Sequence, residues 1–382
     1  MDNKRIVVKI GTSSLTYENG RLRFDRIERL VREISDLVNE GHQIILVSSG
    51  AVGAGLSRLG LTKRPATIPE KQAVAAVGQG LLMQIYSKFF SEYCHVCAQV
   101  LLTAEDLQQR KRYLNCRNTF ETLLRLNVIP IVNENDSVAV DEIKFGDNDT
   151  LSALVANLVS ADLLVVLSDI DGVYNKNPKE DPTAELIPVI EEIDEQIMSL
   201  AGDAGSLGTG GMVTKFHAAQ IAQSSGIPMI ITNSSIPNVI RKAVHGEGVG
   251  TLFLPDSVAM PSRKRWMAFY THPHGEIIID QGAVAALQAG KSLLPAGIVG
   301  CKGNFTAGDL VKICDQSGRE IAKGLTNYSA KEIEIIKGKV SAEIDSLPVQ
   351  HLYDEVIHRD NLVMTNNIVK GRSSWKLLEK HN

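Results

Sequence analysis

The sequence predicts a doubly wound α/β domain, in which helices cover both faces of a mostly parallel sheet, followed by a small β-rich domain. The first prediction rests on residues 1–255, where short apolar strand-like runs alternate with segments of helical periodicity. The second rests on short β-type runs, separated by glycine-containing turns, that follow residue 275. The length of 382 residues agrees, since it corresponds to two or three domains of about 150 residues.

The first elements can be assigned from individual residues. Arg5 to Ile10 is predicted to form a short buried strand. Asp25 is then predicted to cap a helix, with Glu28 three residues later completing a capping box. Apolar residues at helical spacing follow, and Gly41 ends the helix. The next strand is predicted over residues 43–47.

The same alternation continues through the rest of the first domain. The predicted helices lie near 70–91 and over 113–125, 149–160 and 212–225. The predicted strands between them cover 95–102, 128–132, 163–168 and 227–232. Repeated strand–helix–strand units imply a mostly parallel sheet that is covered on both faces.

The character of the sequence changes around residues 255–275, where three prolines and a short basic run interrupt the alternation. The predicted organisation is a first domain, a proline-punctuated linker, a β-rich domain and a polar C-terminal tail, with the bounds 1–258, 259–274, 275–358 and 359–382. The β-type runs of the second domain are predicted over 276–280, 309–314 and 333–336.

Composition excludes several classes of protein. Hydrophobic residues make up 44% and charged residues 22%, as in ordinary globular proteins. The net charge of −4 gives no cationic field to attract nucleic acid or an anionic membrane. The chain has no run of 18 apolar residues and no secretory signal at its start, and five cysteines make a disulfide framework improbable. These features predict a cytoplasmic protein without a membrane span.

The candidate functional residues lie in the loops that follow strands, because ligands of open α/β sheets bind beyond the carboxyl ends of the strands. These loops combine small residues with carboxylates and amides, at 9–14, 48–55, 133–136, 146–149 and 168–172. Such polar clusters also serve as turns and helix caps, and either Asp147 or Asp149 could simply cap the helix that begins there.

One further loop, 208–215, combines glycines with the start of a helix. Backbone N–H groups and the positive end of a helix suit a phosphate group, so the loop is a candidate phosphate site. Lys215, about one turn into the helix, could reach a terminal phosphoryl group, and Lys9 could approach it from the first strand. The Walker pattern GxxxxGK[ST] is absent, and a glycine-rich loop can also be only a flexible turn.

Taken together, six motifs resemble those of the amino-acid kinase family, in order and with similar spacing. They are Val7-Val-Lys-Ile-Gly-Thr-Ser, Val47-Ser-Ser-Gly-Ala, Val132-Asn-Glu-Asn-Asp, Lys144-Phe-Gly-Asp-Asn-Asp, Ser168-Asp and Leu207-Gly-Thr-Gly-Gly-Met-Val-Thr-Lys. Within the family, the chain is most similar to the members that phosphorylate glutamate. The second domain resembles the PUA domain that many bacterial members carry, so the resemblance covers about nine-tenths of the chain.

The resemblance implies a role for each matching residue. Lys9 and Lys215 would neutralise the phosphoryl group during its transfer, and Asp149 would organise the two lysines. The residues that would bind glutamate are Ser49 and Gly50 at its reacting end and Asp136 and Asn148 at its other end. The residues that would bind ATP are Lys9, Ser168, Asp169, Thr209, Gly210, Gly211, Met212, Val213, Thr214 and Lys215. Mg²⁺ would arrive with the nucleotide and bridge phosphate oxygens.

The implied reaction is the ATP-dependent phosphorylation of the γ-carboxylate of L-glutamate, which gives L-glutamyl 5-phosphate and ADP as the first step of proline biosynthesis. This carboxylate has a reference pKa of about 4.3, so it is ionised at neutral pH and needs no general base. The resemblance further implies feedback inhibition by proline, a homo-oligomer (dimer or tetramer) and transfer of the product to glutamate-5-semialdehyde dehydrogenase.

Other functions remain open at this point. A kinase of N-acetylglutamate or aspartate would keep the fold, but an acidic partner such as Asp136 suits a free α-ammonium group better than an acetylated nitrogen. A UMP kinase would need a basic or aromatic acceptor site, which does not stand out. An RNA-binding role of the PUA-like domain is disfavoured, because its lysines and arginines are balanced by carboxylates. A kinase that has lost activity and serves only as a regulatory subunit is disfavoured by the intact lysines.

Overall fold

The computed structural model describes residues 3–17, 21–61, 63, 65–139, 147–178, 180–200, 211–256, 267, 273–339, 343 and 354–365. The chain divides into two compact units, Met1–Ala259 and Met260–Asn382. Each unit has a sheet of its own. In the described residues, no helix is long and apolar enough to cross a membrane.

The first unit is built on an eight-stranded sheet. Its strands are Arg5–Ile10 (β1), Gln43–Ser48 (β2), Val96–Leu102 (β3), Val128–Glu134 (β4), Leu163–Ser168 (β5), Val189–Ile190 (β6), Met229–Asn233 (β7) and Thr251–Phe253 (β8). The order across the sheet is β3-β4-β2-β1-β5-β7-β8-β6. All neighbouring pairs are parallel except β7 and β8, which confirms the predicted mostly parallel sheet.

Helices connect these strands. Their bounds are Thr12–Leu15 (α1), Phe24–Asn39 (α2), Ala51–Leu59 (α3), Ile68–Glu92 (α4), Ala104–Gln108 (α5), Arg110–Arg125 (α6), Asn148–Leu158 (α7), Glu195–Ser199 (α8), Met212–Ser224 (α9) and Val239–His245 (α10). In β1, Ile6 and Val8 face a buried cluster that α2, α4 and α10 complete. Val7 points to the opposite face and is fully buried, where α7 contacts β1 and β5. Both faces of the sheet are therefore covered.

The predicted start of α2 is wrong. The helix begins at Phe24 with Arg23 at its N-cap, and no side chain caps it. Asp25 lies inside the first turn, where its negative charge favours the positive end of the helix without a capping bond. Glu28 does not complete a capping box, because its carboxylate accepts a hydrogen bond from the Tyr93 hydroxyl of α4 at 2.8 Å.

The close packing of α3 on α4 holds the loop that follows β2. A Cβ atom at Gly78 of α4 would lie 1.7 Å from the carbonyl oxygen of Ala51. One at Gly55 of α3 would lie 1.9 Å from the carbonyl oxygen of Val74. The two backbones therefore touch, and only glycine fits at either position. The residues after Gly50, which the sequence suggested as loop, are helical from Ala51.

The second unit contains a five-stranded sheet in the order β10-β9-β11-β12-β13. Its elements are Gly275–Ile279 (β9), Gln281–Gln288 (α11), Ile298–Gly303 (β10), Leu310–Asp315 (β11), Glu320–Leu325 (β12), Ala330–Ile336 (α12) and Leu362–Met364 (β13), with short 3₁₀ turns at Pro295–Gly297 and Arg359–Asn361. This separate sheet confirms the predicted β-rich domain. The predicted strand over 333–336 is wrong, because Ser329 and Glu332 form a capping box that begins α12 there.

Candidate active site

The carboxyl ends of β2, β1 and β5 lie side by side. Ile10, the last residue of β1, is in register with Ser48 of β2 and Leu167 of β5. The loops after these three strands therefore start from one edge of the sheet, and β4, which pairs with β2, brings a fourth loop to the same edge. This is the edge at which ligands of open α/β sheets bind.

A single buried carboxylate at this edge holds two lysines. Asp149, in the first turn of α7, is completely buried. Lys9 Nζ of β1 lies 2.5 Å from its Oδ1 atom, and Lys215 Nζ of α9 lies 3.1 Å from its Oδ2 atom. Both lysines are themselves only 7% exposed, so water screens their positive charges weakly at this edge of the sheet.

The direction in which the pKa of Asp149 is shifted follows from these ion pairs. Burial alone would raise the pKa, because desolvation disfavours the charged carboxylate. The ammonium groups of Lys9 and Lys215 outweigh burial, through their charge and hydrogen bonds, and hold the pKa below its usual value. Asp149 is therefore ionised at neutral pH, and one negative charge offsets two positive ones.

This geometry predicts a pH-dependent effect of Asp149→Asn on stability. At neutral pH the free energy of unfolding of the variant should be about 3–5 kcal/mol lower than that of the wild type, because two buried ammonium groups lose their carboxylate. The folded-state pKa is lowered, so the stabilisation is present above the usual carboxyl pKa of about 3.9 and is lost as the pH falls through the lowered value. Urea unfolding from pH 7 to pH 3 should show the deficit shrinking below about pH 4.

The matched control is Asp25→Asn, which alters a carboxylate that is 63% exposed and 3.8 Å from Arg23. This change should shift the free energy of unfolding by less than about 0.5 kcal/mol. A deficit of the Asp149 variant that stays constant from pH 7 to pH 3 would contradict the assigned ion pairs.

The two aspartates that flank Asn148 have different roles in the structure. Asp147 is the N-cap of α7, and its Oδ1 atom accepts a hydrogen bond from the backbone N–H of Thr150 at 3.0 Å. Asp149 does not cap the helix, since its side chain turns to the lysines. Of the two residues that the sequence left open, Asp147 is the structural cap.

A second polar group surrounds the side chain of Asn148. Its Nδ2 atom donates to Ser49 Oγ at 2.7 Å and to Asn133 Oδ1 at 2.9 Å. Gly50 follows Ser49 in a left-handed conformation, with φ of 103°, and serves as the N-cap of α3. Asp136 lies half-buried in the turn after β4. The structure thus brings Ser49 and Asn148 into contact and places Asp136 on a neighbouring loop.

On the other side of the two lysines, the end of β5 offers a hydroxyl and a carboxylate. Ser168 is buried and donates through Oγ to Asp169 Oδ1 at 3.1 Å, whereas Asp169 is exposed. The sequence analysis missed two residues that extend this surface. Tyr174 OH and Asn233 Nδ2 donate to the two carboxylate oxygens of Asp171, at 3.1 and 2.8 Å. Asn233 is the last residue of β7, and this position at the end of a strand could have identified it as a candidate site residue from the sequence.

The start of α9 faces the same region. Gly211 is the exposed N-cap of this helix, and no side chain of the described residues caps it, so the first backbone N–H groups are candidates to bind an anion. Thr214 Oγ1 lies 2.8 Å from the Gly211 carbonyl oxygen and 3.4 Å from Asp149 Oδ2. Met212 and Val213 are half-buried in the first turn. Two residues predicted to bind nucleotide lie outside the described residues: Thr209 and Gly210.

The donors present suit a magnesium ion that is carried by phosphate groups. Mg²⁺ in phosphoryl-transfer sites keeps several waters and takes its other ligands from one or two carboxylates and the substrate phosphates. Asp149 is committed to two lysines, whereas Asp169 at the end of β5 is exposed. Within the described ranges, no group of three or more histidine, cysteine or carboxylate side chains could form a dedicated metal cage.

Comparison with known proteins agrees with this architecture. The model of the amino acid kinase family matches residues 4–233, and the model of the PUA domain matches residues 275–347. A carbamate kinase from Giardia lamblia, solved with bound AMP-PNP, aligns with a TM-score of 0.50 and 21% identity. The alignment covers 66% of this chain and 99% of that one, and it shows a shared fold.

Curated relatives extend the match to almost the whole chain. A protein named glutamate 5-kinase from Caldanaerobacter subterraneus subsp. tengcongensis is 53% identical over 362 residues, which cover 94% of this chain and 97% of the relative. One of the same name from Carboxydothermus hydrogenoformans is 53% identical over 366 residues, covering 95% and 98%. The chain therefore belongs to the amino acid kinase family, with a PUA domain following its kinase domain.

Proposed function

We propose that the protein transfers the γ-phosphoryl group of ATP to the γ-carboxylate of L-glutamate, giving L-glutamyl 5-phosphate and ADP. It is thus a phosphotransferase with a carboxyl group as acceptor. The observation that carries the proposal is the Lys9–Asp149–Lys215 group at the carboxyl edge of the sheet, between the polar group around Asn148 and the start of α9. The name of the relatives at 53% identity supports glutamate as the acceptor.

The two lysines are proposed to stabilise charge in the transition state. Phosphoryl transfer between a phosphate chain and a carboxylate brings two anions together, so catalysis consists mainly of positioning and charge neutralisation. Lys9 and Lys215 approach from different elements and are held by Asp149 before the substrates arrive. This preorganisation avoids the cost of reorienting charges during the reaction. No side chain has to remove a proton, because the nucleophile is already ionised.

The acceptor is proposed to bind over β2 and β4. Ser49 and Gly50 would hold the reacting carboxylate through the hydroxyl of Ser49 and the backbone at the start of α3. Asp136 and Asn148 would hold the amino-acid end. The Asp136 carboxylate would form an ion pair with a free α-ammonium group, whereas an N-acetyl group is uncharged and could not form one.

The nucleotide is proposed to bind over β5 and α9. Ser168 and Asp169 would contact it at the end of β5, and the segment 209–215 would hold its phosphates at the start of α9. Mg²⁺, when bound with the nucleotide, supplies additional neutralisation of the phosphate oxygens.

The test is ATP-dependent formation of an acyl phosphate, trapped with hydroxylamine as a hydroxamate. Glutamate, N-acetylglutamate and aspartate are compared at equal concentrations, with a control that lacks ATP. We expect hydroxamate from glutamate, and less than about a hundredth of that amount from N-acetylglutamate. N-acetylglutamate would leave polar groups of the acceptor site without their partner, and a site built to pair with a polar group strongly rejects an analogue that lacks it. Product from N-acetylglutamate or aspartate alone would contradict the proposed acceptor, and no product from any acid would contradict the proposed reaction.

Several further proposals accompany the reaction. We propose a cytoplasmic protein that supplies the first step of proline biosynthesis, is inhibited by proline at or near the acceptor site, and passes its labile product to glutamate-5-semialdehyde dehydrogenase. A homo-oligomer formed through the kinase domain is supported by β3, an edge strand whose Val96 is 64% exposed. We also propose that residues 1–258 form the kinase domain, 259–274 a linker, 275–358 the PUA-like domain and 359–382 a C-terminal tail.

A further inference from the structure

Three side-chain amides form a chain that runs from the proposed acceptor site to α4. Asn148 donates through Nδ2 to Asn133 Oδ1 at 2.9 Å. Asn133 donates through its own Nδ2 to Gln79 Oε1 at 3.0 Å. In each bond the N–H group points toward α4 and the carbonyl oxygen points back toward Asn148. The chain of amides therefore has a single direction.

This direction leaves one specific atom available at the acceptor site. A primary amide has two N–H donors and one carbonyl oxygen. The Nδ2 atom of Asn148 donates to Asn133 Oδ1 at 2.9 Å and to Ser49 Oγ at 2.7 Å, and the Ser48 carbonyl oxygen lies at 3.5 Å, so both donors are engaged. Among the residues that the structure describes, none of these bonds uses Asn148 Oδ1, which can act as an acceptor. An acceptor suits the α-ammonium group of an amino acid, whereas a donor would suit a carboxylate.

The burial of Asn133 makes its orientation strict. This residue is only 4% exposed, so its amide must find partners inside the protein. If Asn133 alone were rotated by half a turn, its N–H groups would face those of Asn148, and its oxygen would face the oxygen of Gln79. Both contacts would be repulsive, so the orientation of Asn148 depends on the atom that Gln79 presents.

The position of Gln79 is fixed by the packing of α4. The preceding residue, Gly78, contacts the backbone of Ala51, so Gln79 stands at a set height relative to α3 and Ser49. Two turns earlier on the same face, Gln72 donates through Nε2 to the carbonyl oxygen of Ala139 at 3.2 Å. One face of α4 therefore supports both the end of β4 and the turn after it.

We infer that Gln79 is a positioning residue for acceptor specificity. From α4, its carbonyl oxygen orients Asn133, and Asn133 orients Asn148 so that Asn148 Oδ1 faces the α-ammonium group of the acceptor. Gln79 touches no substrate and acts through the two asparagines. The inference rests on the proposed function, because it assigns the ammonium group of glutamate as the partner of Asn148.

The test compares Gln79→Glu with Gln79→Lys in the hydroxylamine assay, with thermal unfolding measured in parallel. A glutamate side chain still accepts from Asn133 and keeps the direction of the chain, so KM for glutamate should stay within about threefold of the wild-type value. A lysine side chain only donates, so it should turn Asn133 and Asn148 around and raise KM for glutamate by about tenfold or more. The KM for ATP and the Tm should change little in both variants.

The control for the added charge is Val77→Lys, which places the same ammonium group on an exposed position of α4. This variant should leave both KM values unchanged. The inference would be overturned if Gln79→Glu and Gln79→Lys raised KM for glutamate equally, or if Gln79→Lys left this KM unchanged. In either case, the activity of the wild-type protein would still support the proposed function. A wild-type protein that forms no hydroxamate from glutamate would overturn both.

Discussion

Lys215→Ala is expected to lower kcat by about 10²–10³-fold, with a smaller change in KM for glutamate. The ammonium group of Lys215 is held 3.1 Å from Asp149 Oδ2, and the residue is only 7% exposed, so it acts in a site of low dielectric constant. Removing one preorganised stabilising group from such a site typically costs about 3–4 kcal/mol of transition-state stabilisation. Steady-state hydroxamate formation with glutamate and ATP measures the effect.

Two further variants separate loss of charge from loss of structure. Lys215→Met keeps an unbranched chain of similar length without its charge, and its kcat should fall by about the same factor, about 10²–10³-fold. Lys88→Ala removes an exposed lysine of α4 and should leave kcat unchanged. Near-normal turnover of the folded Lys215 variants would rule out the proposed role of Lys215.

Gly78→Ala is expected to disrupt both folding and the acceptor site. The new methyl group would stand 1.7 Å from the carbonyl oxygen of Ala51 and 2.4 Å from the backbone nitrogen of Gly55. Backbone atoms cannot rotate away as a flexible side chain can, so α3 and α4 must separate. We expect the free energy of unfolding to fall by about 3 kcal/mol or more, at the upper end of the cost of overpacking.

The same displacement should reach the active site, because Ala51 follows Ser49 and Gly50 directly in the chain. We therefore expect the folded fraction of Gly78→Ala to show a KM for glutamate raised by about tenfold or more, since a misplacement of about 1 Å is costly in a site that works by positioning. The KM for ATP should change less. Urea unfolding and steady-state kinetics measure the two effects.

Gly80 provides the matched control on the same helix. Apart from its neighbours in the same helix, a Cβ atom added there meets no atom of the described residues within 4 Å, and the residue is exposed. Gly80→Ala should leave activity unchanged and stabilise the protein by up to about 1 kcal/mol, because alanine favours the helix interior more than glycine does. Equal stability of the Gly78 and Gly80 variants would show that the contact between α3 and α4 is not tight.

Six of the eight strands that the structure describes in the first unit could be predicted from sequence because their signal is local, whereas the short strands β6 and β8 were missed. Runs such as 163–167 are continuously apolar, as is typical of strands buried on both faces. The same kind of signal failed at 333–336, because a run of four apolar-rich residues is too short to distinguish a strand from a helix. The deciding residue, Ser329, lies outside the run and caps α12.

The candidate site was predictable in part. Its loops stand at strand ends, and the motifs resemble those of a known family, so Lys9, Asp149 and Lys215 could be proposed together. The resemblance implied that Asp149 organises the two lysines, but the residues alone could not predict that one carboxylate contacts both, since this contact depends on how α7 and α9 pack. Gln79 gave no signal, because it is one glutamine in a long helix and its partner, Asn133, is distant in sequence.

The carboxylate shared by Lys9 and Lys215 also has a consequence for the synthesis of the enzyme on the ribosome. Lys9 is synthesised with the first strand, whereas Lys215 follows only after most of the kinase domain has been translated. A nascent chain that ends before α9 already contains Lys9 and Asp149 but has no second ammonium group for the carboxylate. A prematurely terminated chain of this kind therefore lacks one half of the charge neutralisation, and the ability to consume ATP arises late in translation.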